Sequence, residues 1–301
     1  MNLLKVNNLY FLGIGGIGMS ALARYFRQQG KKISGYDLTP TPLTEQLEKE
    51  GMRIHYVEDI SKVSPDTDLV VYTPAIPDDN RELKHFKKSG IPLMKRARML
   101  GLLTQNQFTI AVAGTHGKTS ISAMTAHIFN SAGKKITALV GGIMNNYHSN
   151  VILNMPADYL LVEADEFDRS FLEIQPEVSV ISSMDADHLD IYHNKKEMTK
   201  SFLDFAGKLK EDGLLIHHCS LKIFESIPSK KISYGIATDA GVKAENIRVH
   251  EGAFIFDLVF DETVIKDIRM AIPGYHYIEN ALAAAAVSLE SGIQPQDVKQ
   301  G

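Results

Sequence analysis

The sequence predicts an α/β protein built on two parallel sheets, with a small antiparallel sheet appended to the second. Three observations carry this. Short apolar runs alternate with helically spaced segments along most of the chain, the pattern of strand–helix–strand units. Two of those runs end in glycine-rich turns that lead straight into a helix: Gly13-Ile-Gly-Gly-Ile-Gly18 and Gly114-Thr-His-Gly-Lys-Thr119. Late in the chain, Ile247–His250, Ala253–Phe260 and Ile265–Ile272 switch to apolar/polar alternation, with turns at Glu251-Gly252 and Asp261-Glu262. That is an antiparallel meander.

The bulk numbers agree. At 301 residues the chain is long enough for two domains, and 44% hydrophobic with 23% charged residues is a globular composition. A net charge of −4 offers no electrostatic case for nucleic acid as a partner. No apolar run reaches the roughly 18 residues that a membrane helix needs. The N-terminus carries no signal-peptide pattern, and Cys219 is the only cysteine, so a cytoplasmic setting is expected. Cys219 follows the apolar run Leu214-Leu-Ile216 and reads as a strand-end residue.

Asn8–Leu12 is the first strand, Met19–Gln29 the first helix and Ile33–Tyr36 the second strand. Gly13, Gly15 and Gly18 stand in G-x-G-x-x-G register between strand and helix, and Asp37 ends the next strand. Gly13 permits the tight turn, Gly15 lets a phosphate approach the backbone, and Gly18 lets helix and strand pack. The motif specifies a diphosphate near a helix N-terminus without specifying NAD. Asp68–Thr73 and Ile91–Met94 are further strands, with helices over Glu82–Ser89 and Arg96–Leu103. Asp37, Thr73 and Lys95-Arg96 all fall at strand C-terminal ends, where ligands bind in such sheets. The polar stretch Thr104–Gln107 divides a Rossmann-like domain, 1–106, from a second domain, 107–301.

The second glycine turn follows the strand Thr109–Ala113 and opens a helix over Ser120–Asn130. A standard P-loop would place its first glycine at position 112, which is Val112; the glycine here is Gly114. Context still points to a P-loop-type phosphate site. A helix N-terminus attracts phosphate, Lys118 adds a positive charge, and the Thr119 hydroxyl can reach Mg²⁺. Ala157–Glu163 is a strand ending in Glu163, Asp165, Glu166 and Asp168. Glu163 directly ends the strand and is the expected Mg²⁺ ligand; the other three read as loop or capping residues. Val178–Ser183 leads into Met184-Asp-Ala-Asp-His-Leu-Asp190, which offers His188 as a second metal contact, with Asp187 and Asp190 behind it. An amphipathic helix over Glu197–Leu209 and strands at Gly213–His217 and Lys231–Gly235 precede the meander. After it, Tyr275–Asn280 reads as a polar turn before an alanine-rich buried helix, Ala281–Leu289.

These motifs, in this order, resemble the Mur ligases: Gly-Ile-Gly-Gly-Ile-Gly-Met, Gly-Thr-His-Gly-Lys-Thr, Glu-Ala-Asp-Glu, Asp-Ala-Asp-His-Leu-Asp and Pro-Gly-x-His…Asn-Ala-Leu-Ala-Ala. The likeness covers essentially the whole chain. It implies that Gly13, Gly15, Gly16, Ile17 and Gly18 hold the uridine diphosphate of UDP-N-acetylmuramate, with Asp37, Thr73 and Arg96 around it. It implies an ATP site at Gly114, Thr115, His116, Gly117, Lys118, Thr119 and Ser120, with Asn280 on adenine. Lys118 would bridge the β- and γ-phosphates, His116 would lie near the acyl phosphate, and Thr119, Glu163 and His188 would hold Mg²⁺. The sugar's lactyl carboxylate would attack the γ-phosphate, and the amine of L-alanine would then displace phosphate from the acyl phosphate. Such chemistry needs positioning and charge neutralisation more than covalent help.

Members that add L-alanine match the Gly-Gly-Ile-Gly-Met start and the Met184–Tyr192 spacing better than members that add murein tripeptide, the alternative within the family. Three departures stand out. Tyr277 takes the place of the usual Asn after His276. Leu203 stands where several members carry a carbamylated lysine. The chain stops at Gly301, where a C-terminal amino-acid-binding domain is expected to begin, so a truncated form without ligase activity is the expectation. A dehydrogenase would leave the phosphate turn, Glu163 and His188 without purpose, and a folylpolyglutamate-type ligase would lack the N-terminal glycine unit. A nucleotide-binding regulatory module is the remaining alternative.

Overall fold

The computed structural model describes residues 3–185 and 195–301. The chain divides into two compact units. The first runs to Leu103 and takes in Gly141–Leu153; the second comprises Thr104–Val140 and Asn154–Gly301.

The first unit contains β1 (Asn8–Leu12), α1 (Ile17–Gln28), β2 (Lys32–Tyr36), α2 (Pro42–Lys49), β3 (Arg53–His55), β4 (Leu69–Tyr72), α3 (Arg81–Ser89), β5 (Leu93–Lys95) and α4 (Arg96–Thr104). Its five strands are parallel, in the order β3-β2-β1-β4-β5. Chain order reverses between β1 and β4, so a crevice opens beyond their carboxyl ends. The Gly13–Gly18 turn leaves β1 at that crevice. Leu9, Tyr10, Phe11 and Leu12 are all buried, as an unbroken apolar run in a doubly covered strand should be.

Two polar arrangements fix the helices. Thr41 caps α2 through the Thr44 amide, Thr44 caps back, and Pro42 opens the helix. The sequence reading has no counterpart to α2, whose Thr39-Pro-Thr-Pro42 start carries residues typical of turns. Glu82 of α3 is fully buried and accepts from the Tyr10 hydroxyl, from His55 Nε2 at 2.8 Å and from the Asp59 amide at 2.9 Å. A buried carboxylate is tolerated only when it is partnered in this way.

The rest of the chain forms β6 (Phe108–Ala113), α5 (Lys118–Ser131), β7 (Ile136–Met144), β8 (Ser149–Leu153), β9 (Tyr159–Glu163), β10 (Val178–Ile181), α6 (Lys195–Ala206), β11 (Leu214–His218), β12 (Lys230–Tyr234), β13 (Val242–His250), β14 (Ala253–Phe260), β15 (Thr263–Met270), α7 (Tyr275–Glu290) and α8 (Pro295–Gln300). The second sheet has the order β15-β14-β13-β12-β11-β10-β6-β9-β7-β8. Pairing is parallel from β7 through β9, β6, β10, β11 and β12 to β13, and antiparallel between β13 and β14 and between β14 and β15. Strand β6 lies between β9 and β10, so the glycine turn that leaves it sits between the ends of those two strands.

Neither β7 nor β8 is anticipated by the sequence reading, which placed 141–153 within the second domain. Contacts group that stretch with the first unit, and a polar network explains why. Asn150 of β8 is fully buried; its amide donates to the Ile17 carbonyl at 2.7 Å and the Ser20 hydroxyl at 3.0 Å. Its carbonyl accepts from Arg24, which also pairs with Glu50 at 2.8 Å.

In the second unit, Phe171 stacks on Phe205 with Phe202 edge-on. Ala283, Ala284, Ala285 and Ala286 are buried along α7, where small side chains let it lie close to α5. Helix α7 starts at Tyr275, so Tyr275–Asn280 is the helix's own first turns and not a preceding turn. Cys219 directly follows β11 and is buried.

Candidate functional site

The first unit holds one candidate site. Gly13 and Ile14 both donate to the Tyr36 carbonyl, at 2.8 and 3.1 Å, which folds the turn over the end of β2. Gly16 is the N-cap of α1 and no side chain caps the helix. The first amides of α1 therefore face the crevice, an arrangement that suits an anion. All three strand-end residues reach this turn. A Cβ on Gly13 would stand 2.8 Å from Thr73 Cγ2, and one on Gly18 would stand 2.6 Å from Arg96 Nη1. Asp37 Oδ2 accepts from the Gly15 amide at 2.6 Å. The guanidinium of Arg96 thus brings positive charge to the opening of α1, while Asp37 occupies one loop amide.

The second site is built on β6 and α5. Gly114 has φ +132°, and a Cβ there would meet Ser182 Oγ at 2.1 Å and the Ser183 amide at 2.9 Å, so only glycine fits. Ser182 and Ser183, just beyond β10, lace the turn together. The Ser183 hydroxyl accepts from the His116 amide at 2.8 Å and lies 2.9 Å from Thr115 Oγ1. The Ser182 hydroxyl donates to the His116 carbonyl. The His116 ring is exposed, with Nε2 at 3.5 Å from Asp185 Oδ2. Gly117 is the left-handed N-cap of α5 and again no side chain caps the helix.

Lys118 folds back over the turn. Its Nζ donates to the Gly114 carbonyl at 2.6 Å and to both oxygens of Glu166, at 2.9 and 2.7 Å. Thr119 Oγ1 donates to Glu163 Oε2 at 3.2 Å, and Ser120 follows on α5. Asn280 lies on α7 close to the turn: a Cβ on Gly117 would stand 2.6 Å from its Oδ1, and the residue is buried. Beside it, Glu279 pairs with His218 Nε2 at 3.0 Å. That hydrogen bond holds the Glu279 carboxyl below its usual range.

The structure thus brings together Gly114, Thr115, His116, Gly117, Lys118, Thr119, Glu163 and Asn280. His188, with Asp187 and Asp190, lies outside the described residues. Glu166 stands in the loop after β9 at the N-cap of the 3-10 turn Phe167–Glu173, as its reading as a loop or capping residue expects, but its side chain does not cap: it is 1% exposed and grips Lys118. Asp165 does serve a turn, accepting from the Phe167 amide at 3.1 Å. Sequence reasoning also missed Ser182 and Ser183, which look like the tail of a strand. Among the described residues no group of three or more His, Cys, Asp or Glu is gathered as a metal site. The oxygens of Thr119 and Glu163 are hard donors at the mouth of a phosphate turn and fit Mg²⁺, which keeps water and phosphate as its other ligands. Among the described residues, no helix is long and apolar enough to cross a membrane.

Residues 8–108 match the catalytic domain of the Mur ligase family, and residues 112–288 match the Mur ligase middle domain. The chain belongs to this family. It is 43% identical to the UDP-N-acetylmuramate–L-alanine ligase of Parabacteroides distasonis, over 100% of this chain and 67% of that protein. Its namesake from Christiangramia forsetii is also 43% identical, over 97% of this chain and 65% of that protein. The chain thus spans about two thirds of the length of the curated relatives it matches. Among solved structures, the UDP-N-acetylmuramate–alanine ligase of Thermotoga maritima superposes with a TM-score of 0.86 at 26% identity, over 97% of this chain and 67% of that one. A Neisseria ligase for UDP-N-acetylmuramate and L-alanyl-γ-D-glutamyl-meso-diaminopimelate gives 0.87 at 21% identity, over 98% and 97%, a likeness of fold alone.

Proposed function

We propose that this chain carries the sugar-nucleotide and ATP sites of a ligase that joins L-alanine to the lactyl carboxylate of UDP-N-acetylmuramate in the cytoplasm. The division of labour follows the two domains expected from sequence, 1–106 for the uridine diphosphate and 107–301 for ATP. The observation that carries the reading is the convergence of Lys118, Thr119 and Glu163 on the uncapped N-terminus of α5. Amides and an ammonium would bind the triphosphate, and Thr119 and Glu163 would hold Mg²⁺, with His188 as the further ligand expected from sequence. A bound Mg²⁺ would neutralise charge on the β- and γ-phosphates.

Lys118 would orient the γ-phosphate for attack by the carboxylate oxygen, with ADP leaving. The amine nitrogen of alanine would then take the acyl carbon as phosphate departs. Asn280, which lies beside the turn, would contact the base of the nucleotide. In the first unit Gly13, Gly15, Gly16, Ile17 and Gly18 would carry the uridine diphosphate, Arg96 would balance its charge, and Asp37 would release the Gly15 amide to it. The choice of L-alanine over murein tripeptide rests on the 43% identical relatives; the tripeptide-adding enzyme shares the fold at 21%.

A thermal-shift titration tests the assignment of both sites. UDP-N-acetylmuramate should stabilise wild type and Lys118→Ala alike. ATP–Mg²⁺ should stabilise wild type and lose most of that effect in Lys118→Ala. Equal protection of both proteins by ATP would sink the phosphate-turn reading.

A further inference from the structure

An ammonium has three hydrogens to donate. Lys118 Nζ has three protein acceptors within 2.9 Å: the Gly114 carbonyl and both Glu166 oxygens. Its hydrogen-bonding capacity is therefore filled by the protein. The side chain that should meet a phosphate points instead at a carboxylate whose own side chain is 1% exposed. Two oxygens of one anionic group on one ammonium is also the pattern a phosphate would present.

We propose that Glu166 is a positioning residue that stands in for phosphate, parking Lys118 in the nucleotide-free site and yielding it when the triphosphate enters. This rests on the reading of the Gly114–Thr119 turn as the ATP site. The physical argument is competitive. Lys118 cannot keep both Glu166 oxygens and the Gly114 carbonyl while donating to a phosphate, so at least one bond must be exchanged. Binding is then weakened by the population of the parked state, as for any site whose competent form must be drawn from an equilibrium. In return the ammonium is held over the turn, its chain already ordered, and one exchange of partners delivers it. A structural ion pair would behave in the opposite way, since loosening it would disorder the turn and weaken nucleotide binding.

The test is calorimetric titration of the 301-residue chain with ATP–Mg²⁺ in four forms: wild type, Glu166→Gln, Lys118→Met and the double variant. Parking predicts that Glu166→Gln binds ATP tighter, by on the order of tenfold. It also predicts that the gain disappears in the Lys118→Met background, because no ammonium remains to be released. If Glu166→Gln binds ATP equally or more weakly than wild type, Glu166 does not park Lys118. If the gain persists without Lys118, the effect is simple repulsion between carboxylate and phosphate, and the proposal also falls. Should Glu166→Gln not fold, Glu166→Asp replaces it: its shorter side chain loses the two-oxygen grip, and the same gain is expected. Nucleotide binding by Glu166→Gln but not by wild type would support parking. Binding by none of the four would remove the ATP reading, and the proposal with it.

Discussion

Asn150 concentrates more structure than its exposure or chemistry suggests. Its amide satisfies a carbonyl in the first turn of α1 and a hydroxyl one turn on, and its carbonyl meets a buried Arg24. Replacing it with alanine leaves buried polar groups without partners, each costing about 1–3 kcal/mol. Asn150→Ala should lower unfolding stability by roughly 2–3 kcal/mol, read as a shift in urea midpoint at constant slope. It should also weaken UDP-N-acetylmuramate, because Ile17 sits in the turn that would hold the diphosphate. A variant as stable as wild type would show that the network is dispensable. Nothing in the sequence singles out this residue: one asparagine in a weakly patterned stretch gains its role only when β8 reaches α1. Glu166 is hidden for the same reason. Its partner Lys118 is 48 positions away, and the burial of its carboxylate is decided by the fold.

Between elements, β11 and α7 are joined by the His218–Glu279 pair, at 3.0 Å. The hydrogen bond from His218 lowers the Glu279 carboxyl. A depressed carboxyl contributes stability above its unfolded value, near 4.3, and that contribution is lost as pH falls through the folded value. Wild type should therefore lose stability more steeply than Glu279→Gln as pH falls from about 5 towards 3, in urea midpoints measured across that range. Parallel acid limbs would show that the pair adds nothing. Elements with strong periodicity are legible in the sequence: β1, β6, β14 and the alanine-rich part of α7 are close to their expected bounds, while β13 begins five residues before the expected Ile247. Others are not. Thr41-Pro42 disguised the start of α2, and Gly141-Gly142 interrupts β7 so that it reads as a linker. The first turns of α7 read as polar loop because Tyr275 and His276 are exposed there.

At the level of the molecule, each unit has its own candidate ligand. Ligands that bind only a folded unit raise its apparent stability in proportion to the logarithm of saturation. UDP-N-acetylmuramate should therefore raise one calorimetric transition and ATP–Mg²⁺ another, with little effect of either on the other's. A single transition shifted equally by both would mean that the two sites melt as one cooperative body. Phosphate binding is legible from two glycine turns that end strands and open helices, while the ligase chemistry comes from the likeness of five ordered motifs to the Mur ligases. What escaped is the traffic of the chain. It leaves the first unit at Leu103, returns at Gly141, and leaves again after Leu153.

That return has a consequence for synthesis. A chain emerging from the ribosome presents β1 to α4 first, and domains tend to fold as they appear. Here the nascent first unit would lack β8 until Leu153 has emerged, and Arg24 would have Glu50 but no Asn150. By then the phosphate turn, Gly114–Thr119, would already have been made. The earliest-made unit is thus not the earliest completed. Its last strand comes from sequence that follows the second unit's first strand and helix, so a clean cut near residue 106 would yield an unfinished unit.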